Sequence, residues 1–143
     1  MGLDMYLTAK KYIGYNEEQA EAVGQAVGSP FGPAQQVTVE AGYWRKVNAI
    51  HSWFVANCQG GVDQCQETEL AREDLELLRD ICRRIMADPG LANELLPPQA
   101  GFFFGSQEID DWYLQGIQQT IDILDRVLSD SAQGWDFYYR SSW

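Results

Sequence analysis

The first residues alternate strictly: Leu3, Met5 and Leu7 fall on one side, Asp4, Tyr6 and Thr8 on the other. A period of two predicts a half-buried β-strand across residues 3–13. Asn16, followed by Glu17 and Glu18, predicts a helix start, because an Asn side chain accepts from the first free amides and acids favour that helix end. Gln19, three residues after Asn16, completes a capping-box spacing. The Ala-rich stretch to Val27 predicts a weak helix interrupted by Gly24, and residues 28–33 (GSPFGP) predict a loop.

Gln36–Glu40 alternates again, with Val37 and Val39 on one face of a second strand. From Tyr43 to Cys58 the period turns helical. Tyr43, Trp44, Val47, Ile50, Phe54, Val55 and Cys58 fall within about 140° of arc, and Gly60-Gly61 closes the segment. Glu73–Met86 predicts another helix with the stripe Leu75, Leu78, Cys82, Ile85 and Met86, stopped by Pro89-Gly90. Leu95-Leu96-Pro97-Pro98 reads as an extended connector. Three phenylalanines between Gly101 and Gly105 read as a buried strand or a pocket wall. Ser106 can cap a long helix on which Ile109, Tyr113, Ile117, Ile121, Leu124 and Leu128 recur, ended by Gly134. Trp135–Arg140 alternates as a last strand. The order predicts an α+β fold: a small, mostly antiparallel sheet with about three main helices on one face, one domain over residues 1–143.

Composition narrows the partners. Of 143 residues, 45% are apolar and 13% aromatic, enough for a sizeable core. Ten basic against 21 acidic side chains leave a net charge of −11. Residues 57–143 hold six basic and 16 acidic residues, so the acidity is concentrated there. Phosphate binding rests on clustered Lys and Arg, so this balance disfavours direct contact with nucleic acid or an anionic membrane and permits a protein partner with a basic surface. No apolar run approaches a membrane span, and the first residues lack a signal-peptide pattern. Cys58, Cys65 and Cys82 form no C-x-x-C pair, so neither a zinc site nor a disulfide framework is expected. The expected location is the cytoplasm, with reduced thiols.

Candidate chemistry is sparse. His51, the single histidine, falls inside an apolar stripe, where a hydrogen-bonded core residue, a polar pocket member and a catalytic base are successively weaker readings. Cys58 lies two turns away, too far for a Cys–His dyad. No activated-serine elbow, phosphate loop or second metal-ligating His accompanies it. No catalytic residue, metal or cofactor is therefore assigned. Cys82 reads as core, and Cys65, in a polar loop, as the most modifiable thiol. On a helix starting at Tyr43, Lys46 and Trp53 share a ridge off the apolar stripe; Trp112 and Ile123 sit off the stripe of the long helix. Such a tryptophan is either covered by a loop or part of a binding surface.

Four segments, GLDMYL (2–7), GYWRKVNAIHSWF (42–54), LLPPQAGFFFGSQEIDDWY (95–113) and WDFYY (135–139), together resemble a family of small, uncharacterised bacteriophage and prophage proteins. The resemblance spans nearly the whole chain and transfers no activity or catalytic residue. Some members carry the label phosphoglycerate kinase, which does not suit this chain: those kinases are much longer, two-domain proteins, and no nucleotide loop is present here. Residues 14–36 fit the pattern least and are expected to be an insertion or a flexible region. The resemblance implies a phage-borne, non-enzymatic accessory protein, an inhibitor of a nucleic-acid-handling host-defence protein in the manner of an anti-CRISPR. Its expected contacts are Lys46, Trp53, Glu73, Glu76, Asp80, Asp110, Asp111, Trp112, Asp122 and Asp125. The alternative is a small-molecule or nucleotide-binding module with a pocket of Tyr43, Arg45, Asn48, His51, Phe103, Asp111 and Tyr139.

Overall fold

The computed structural model describes residues 2–99 and 108–143. Strands β1 (Asp4–Tyr12), β2 (Gln36–Arg45), β3 (Thr68–Glu69) and β4 (Asp136–Ser142) form one sheet in the order β2-β1-β4-β3, antiparallel throughout. The α-helices among the described residues are α1 (Glu17–Ala26), α2 (Asn48–Cys58), α3 (Arg72–Ala87), the single turn α4 (Ala92–Leu95) and α5 (Asp111–Val127). The fold is α+β, as the hydrophobic periods predict.

Alternation on β1 decides which face is buried. Leu3, Met5, Leu7 and Ala9 are buried, while Asp4, Tyr6, Thr8 and Lys10 are only partly covered. Leu3, Met5 and Leu7 meet Ile50 and Phe54 of α2, Leu78 and Ile85 of α3, and Ile117 and Leu124 of α5 in one core. Removing such side chains from water is the main stabilising term. On the other face, rings and cations cover one another. The Arg140 guanidinium lies 4.6 Å from the Tyr6 ring centre and the Lys10 ammonium 4.3 Å from that of Tyr138.

The helix expected from Tyr43 begins only at Asn48, and the strand expected to end at Glu40 runs on to Arg45. The cause is a β-bulge. Leu7 pairs with Gly42 and Thr8 with Glu40, which leaves Ala41 as the extra residue. The bulge moves the core-facing parity of β2 from Val37 and Val39 to Gly42 and Trp44. Read without it, the strand seems to stop, and Tyr43, Trp44, Val47 and Ile50 mimic a helical period. Gly42 is needed at this place: a Cβ there would sit 2.6 Å from Ile123 Cγ2. Trp44 then buries its ring and donates from Nε1 to Thr120 Oγ1 at 2.9 Å.

The expected helix start at Asn16 is present, with Asn16 Oδ1 accepting from Gln19 N at 3.0 Å. α1 packs on the chain that returns from it: Ala34 N donates to Ala20 O at 2.9 Å, and a Cβ on Gly24 would lie 2.7 Å from Gly32 O. The long helix is capped by Asp110, whose Oδ1 accepts from Tyr113 N at 3.0 Å; Ser106, the expected cap, and the Gly101–Gly105 run lie outside the described residues. Leu95, expected in an extended connector, instead closes α4. Two-residue β3 has no period to read. No helix among the described residues is long and apolar enough to cross a membrane.

Candidate functional site

His51 is 1% exposed and bonded through both ring nitrogens. Nδ1 lies 2.7 Å from Tyr139 Oη and Nε2 lies 2.9 Å from Asp63 Oδ2. Burial, with the Asp63 charge adding, pushes the Tyr139 phenol well above its usual range, so it keeps its proton. The Asp63 carboxylate accepts, so Nε2 donates to it, and with that hydrogen on Nε2 the Nδ1 lone pair can accept from the Tyr139 hydroxyl. Trp143 Nε1 donates to Asp63 Oδ1 at 3.0 Å. The Tyr139 ring also stacks on Phe54, with centroids 4.0 Å apart.

This chain of bonds has the residue types of a catalytic relay without its access. Both His51 and Tyr139 are sealed in the core. Their geometry ties α2, the loop after it, β4 and the last residue together. Two of the thiols are quiet too: burial pushes Cys58 up to about 11 and Cys82 up to about 12. Among the described residues, no group of His, Cys, Asp and Glu could hold a metal ion.

A second place is open. A cleft of about 500 Å³ lies between the starts of α2 and α5, lined among others by Arg45, Lys46, Asn48, Asp110, Trp112 and Tyr113. Lys46 adopts the left-handed region, φ 58°, which turns β2 into α2 within two residues, and its N donates to Leu3 O at 2.8 Å. Gly116 lets the two helices close up, since a Cβ there would lie 2.9 Å from Val47 Cγ1. Tyr113 Oη donates to Leu96 O at 2.7 Å, and Asn48 Oδ1 accepts from Gln99 N at 2.9 Å. These bonds fix the walls. Arg45, Lys46, Glu108 and Asp110 are all in its lining, and Trp112, also in the lining, is 80% exposed.

The expected contact residues divide. Lys46, Asp110 and Trp112 line this cleft, and Asp111 is exposed beside them. Trp53 is 7% exposed and turned into the core, its ring edge-on to Phe54 at 5.5 Å. The cause is again the later helix start: Lys46 precedes α2, so the ridge it was to share with Trp53 does not form. Ile123 is buried against Gly42. On α3 and α5 three of the acids are engaged. Asp125 bonds Arg83 at 2.8 Å and Arg79 at 3.3 Å, Glu76 pairs with Arg72 at 2.9 Å, and Asp122 accepts from Gln118 Nε2 at 3.0 Å. Glu73 and Asp80 are exposed, on a helix whose four acids are matched in number by four arginines.

The expected pocket divides as well. Arg45 and Asn48 line the cleft, Tyr43 stands on the opposite sheet face bonded to Asp4, and His51 and Tyr139 are in the core. Phe103 lies outside the described residues. Comparison of the chain with family models, curated proteins and solved structures gives no match.

Proposed function

We propose that the protein is a non-enzymatic binding protein that docks on a basic protein surface with Trp112 at the centre of the contact. The observation that carries this is the exposed Trp112 ring, flanked by Glu108, Asp110 and Asp111 at the start of α5. A large ring held bare on a rigid helix, beside carboxylates, suits a partner offering Lys or Arg to stack on the ring and pair with the acids. The burial of His51 and Tyr139 argues against turnover. The sequence resemblance to phage proteins and the net charge of −11 support a host protein that handles nucleic acid as the partner, with inhibition as the outcome. The test is capture from infected bacterial cells, followed by affinity measurement with Trp112→Ala and Asp111→Lys. Asp110 is left intact because it caps α5. Both variants are expected to bind at least tenfold more weakly, and the reading fails if neither changes affinity.

The cleft itself favours a second reading, a module for a small anionic aromatic ligand. Arg45 and Lys46 would hold the anion and Trp112 the ring. It predicts a thermal shift in a nucleotide and aromatic-acid panel that Lys46→Ala abolishes; no shift across the panel removes it.

A further inference from the structure

The two edges of the sheet are built differently. β3, at one edge, is two residues long, which blunts it as a template for another strand. β2, at the other, runs for ten residues and is the last strand on its side among the described residues. The bonds to β1 show which of its backbone groups face outward. Ile13 N donates to Gln35 O at 2.9 Å. Alternation from Gln35 turns the backbone of Val37 and Val39 toward β1 and that of Gln36, Thr38 and Glu40 away from it. Beyond the bulge at Ala41 the edge is closed by α5, because Gln119 Nε2 donates to Tyr43 O at 2.9 Å. Over Gln36–Glu40 it stays open: those outward groups have no backbone or side-chain partner among the described residues. The run also lacks the usual guards of an edge, with no Pro, no Lys and no bulge inside it, and its one charge is Glu40.

The sequence of this open run selects its partner. Gln36-Val37-Thr38-Val39-Glu40 reads nearly the same in both directions. A two-fold contact requires that residue i meets j while j meets i. With the axis at Thr38, antiparallel pairing sets Thr38 against Thr38, Val37 against Val39 and Gln36 against Glu40. On the core-facing side valines meet valines, and Val39, which is 48% exposed although it pairs with buried Ala9, gains cover. On the outer side an amide donates to each carboxylate, so no acid faces an acid. The outward N–H and C=O groups of Gln36, Thr38 and Glu40 meet the same groups of the second strand.

We propose that the protein forms a weak homodimer in which the β2 edges of two copies pair antiparallel about an axis at Thr38, joining the two sheets into one. The contact is short, which sets its strength in the weak range. Sedimentation equilibrium of the full chain, from micromolar to millimolar in about 0.15 M sodium chloride to screen the −11 of each copy, tests this. Wild type is expected to pass from one copy to two as concentration rises. Thr38→Pro removes the outward N–H at the axis and keeps the bonds to β1, so it weakens association by about tenfold or more with native circular dichroism. Thr38→Lys sets like charges against each other at the axis, to the same effect, and carries the test should the proline variant not fold. Cysteine variants oxidised with glutathione disulfide read the register, the bonds being located by peptide mass analysis. Thr38→Cys links to its own mate, whereas Gln36→Cys links only when mixed with Glu40→Cys. Trp112→Ala leaves association unchanged, which separates this edge from the docking face. A wild type that stays monomeric throughout, folded Thr38 variants that associate as wild type does, or cross-links in another register overturn the proposal.

Discussion

His51 shows how one buried polar residue sets local stability. Replacing it with Ala leaves the Tyr139 hydroxyl without its acceptor in the core and frees Asp63 from α2. An orphaned buried hydroxyl costs about 1–3 kcal/mol, so urea denaturation of His51→Ala is expected to show a loss of that order or more, with Trp143 fluorescence changed. The same core predicts an alkaline limit. Cys82 is held up to about 12 and Tyr139 well above its usual range, both chiefly by burial. Both groups keep their protons when folded and release them near 9 and 10 when unfolded. The unfolded state therefore binds fewer protons, and stability falls as pH rises. Their contribution is complete below about pH 9 and then declines by up to about 1.4 kcal/mol per pH unit for each group titrating only when unfolded. Urea midpoints measured from pH 7 to pH 11 are expected to be flat at first and then drop. Thiol reagents should leave native Cys82 unlabelled throughout the flat range.

At the scale of elements, the bulge at Ala41 governs the joint between sheet and helices. It places Gly42 under Ile123 and Trp44 against Thr120. Gly42→Ala forces a methyl against a packed side chain and is expected to cost about 1–3 kcal/mol. Thr120→Val keeps the shape but orphans the Trp44 indole hydrogen, at a comparable cost. Chemical denaturation of both variants checks this; an unchanged Gly42→Ala would mean Ile123 moves aside freely. This joint also marks how far the sequence could be read. β1, α3 and α5 repeat one period over many residues, so their buried faces are legible from Leu3 onward. β2 changes parity within itself, and no single period describes it, which is why Trp53 and Lys46 were placed on one ridge. The acids were legible as residues but not as a surface, because Arg72, Arg79 and Arg83 reach Glu76 and Asp125 only once the helices are formed and packed. The cleft was legible in part: Lys46, Asp110 and Trp112 stood out individually, while their meeting depends on the left-handed turn at Lys46 and the closeness of Gly116 to Val47.

Across the whole molecule, 21 acids share ten bases, and the ion pairs among the described residues lie on partly or fully exposed side chains apart from the His51 ring. Exposed pairs contribute little each, whereas uncompensated like charge repels over the whole surface. Repulsion extends about 30 Å at ~0.01 M salt and about 8 Å at ~0.15 M. The folded chain holds its surplus carboxylates closer together than the unfolded chain does, so screening favours the fold. The melting temperature is expected to rise as sodium chloride is raised through this range, and to rise equally with a chloride salt of a different cation. A fall would mean that the arginine bridges at Asp125 and Glu76 outweigh the surplus. The same screening weakens docking of the acidic Trp112 face on a basic partner, so affinity for the captured partner is expected to fall as sodium chloride is raised, and an affinity that salt leaves unchanged would remove charge from the contact.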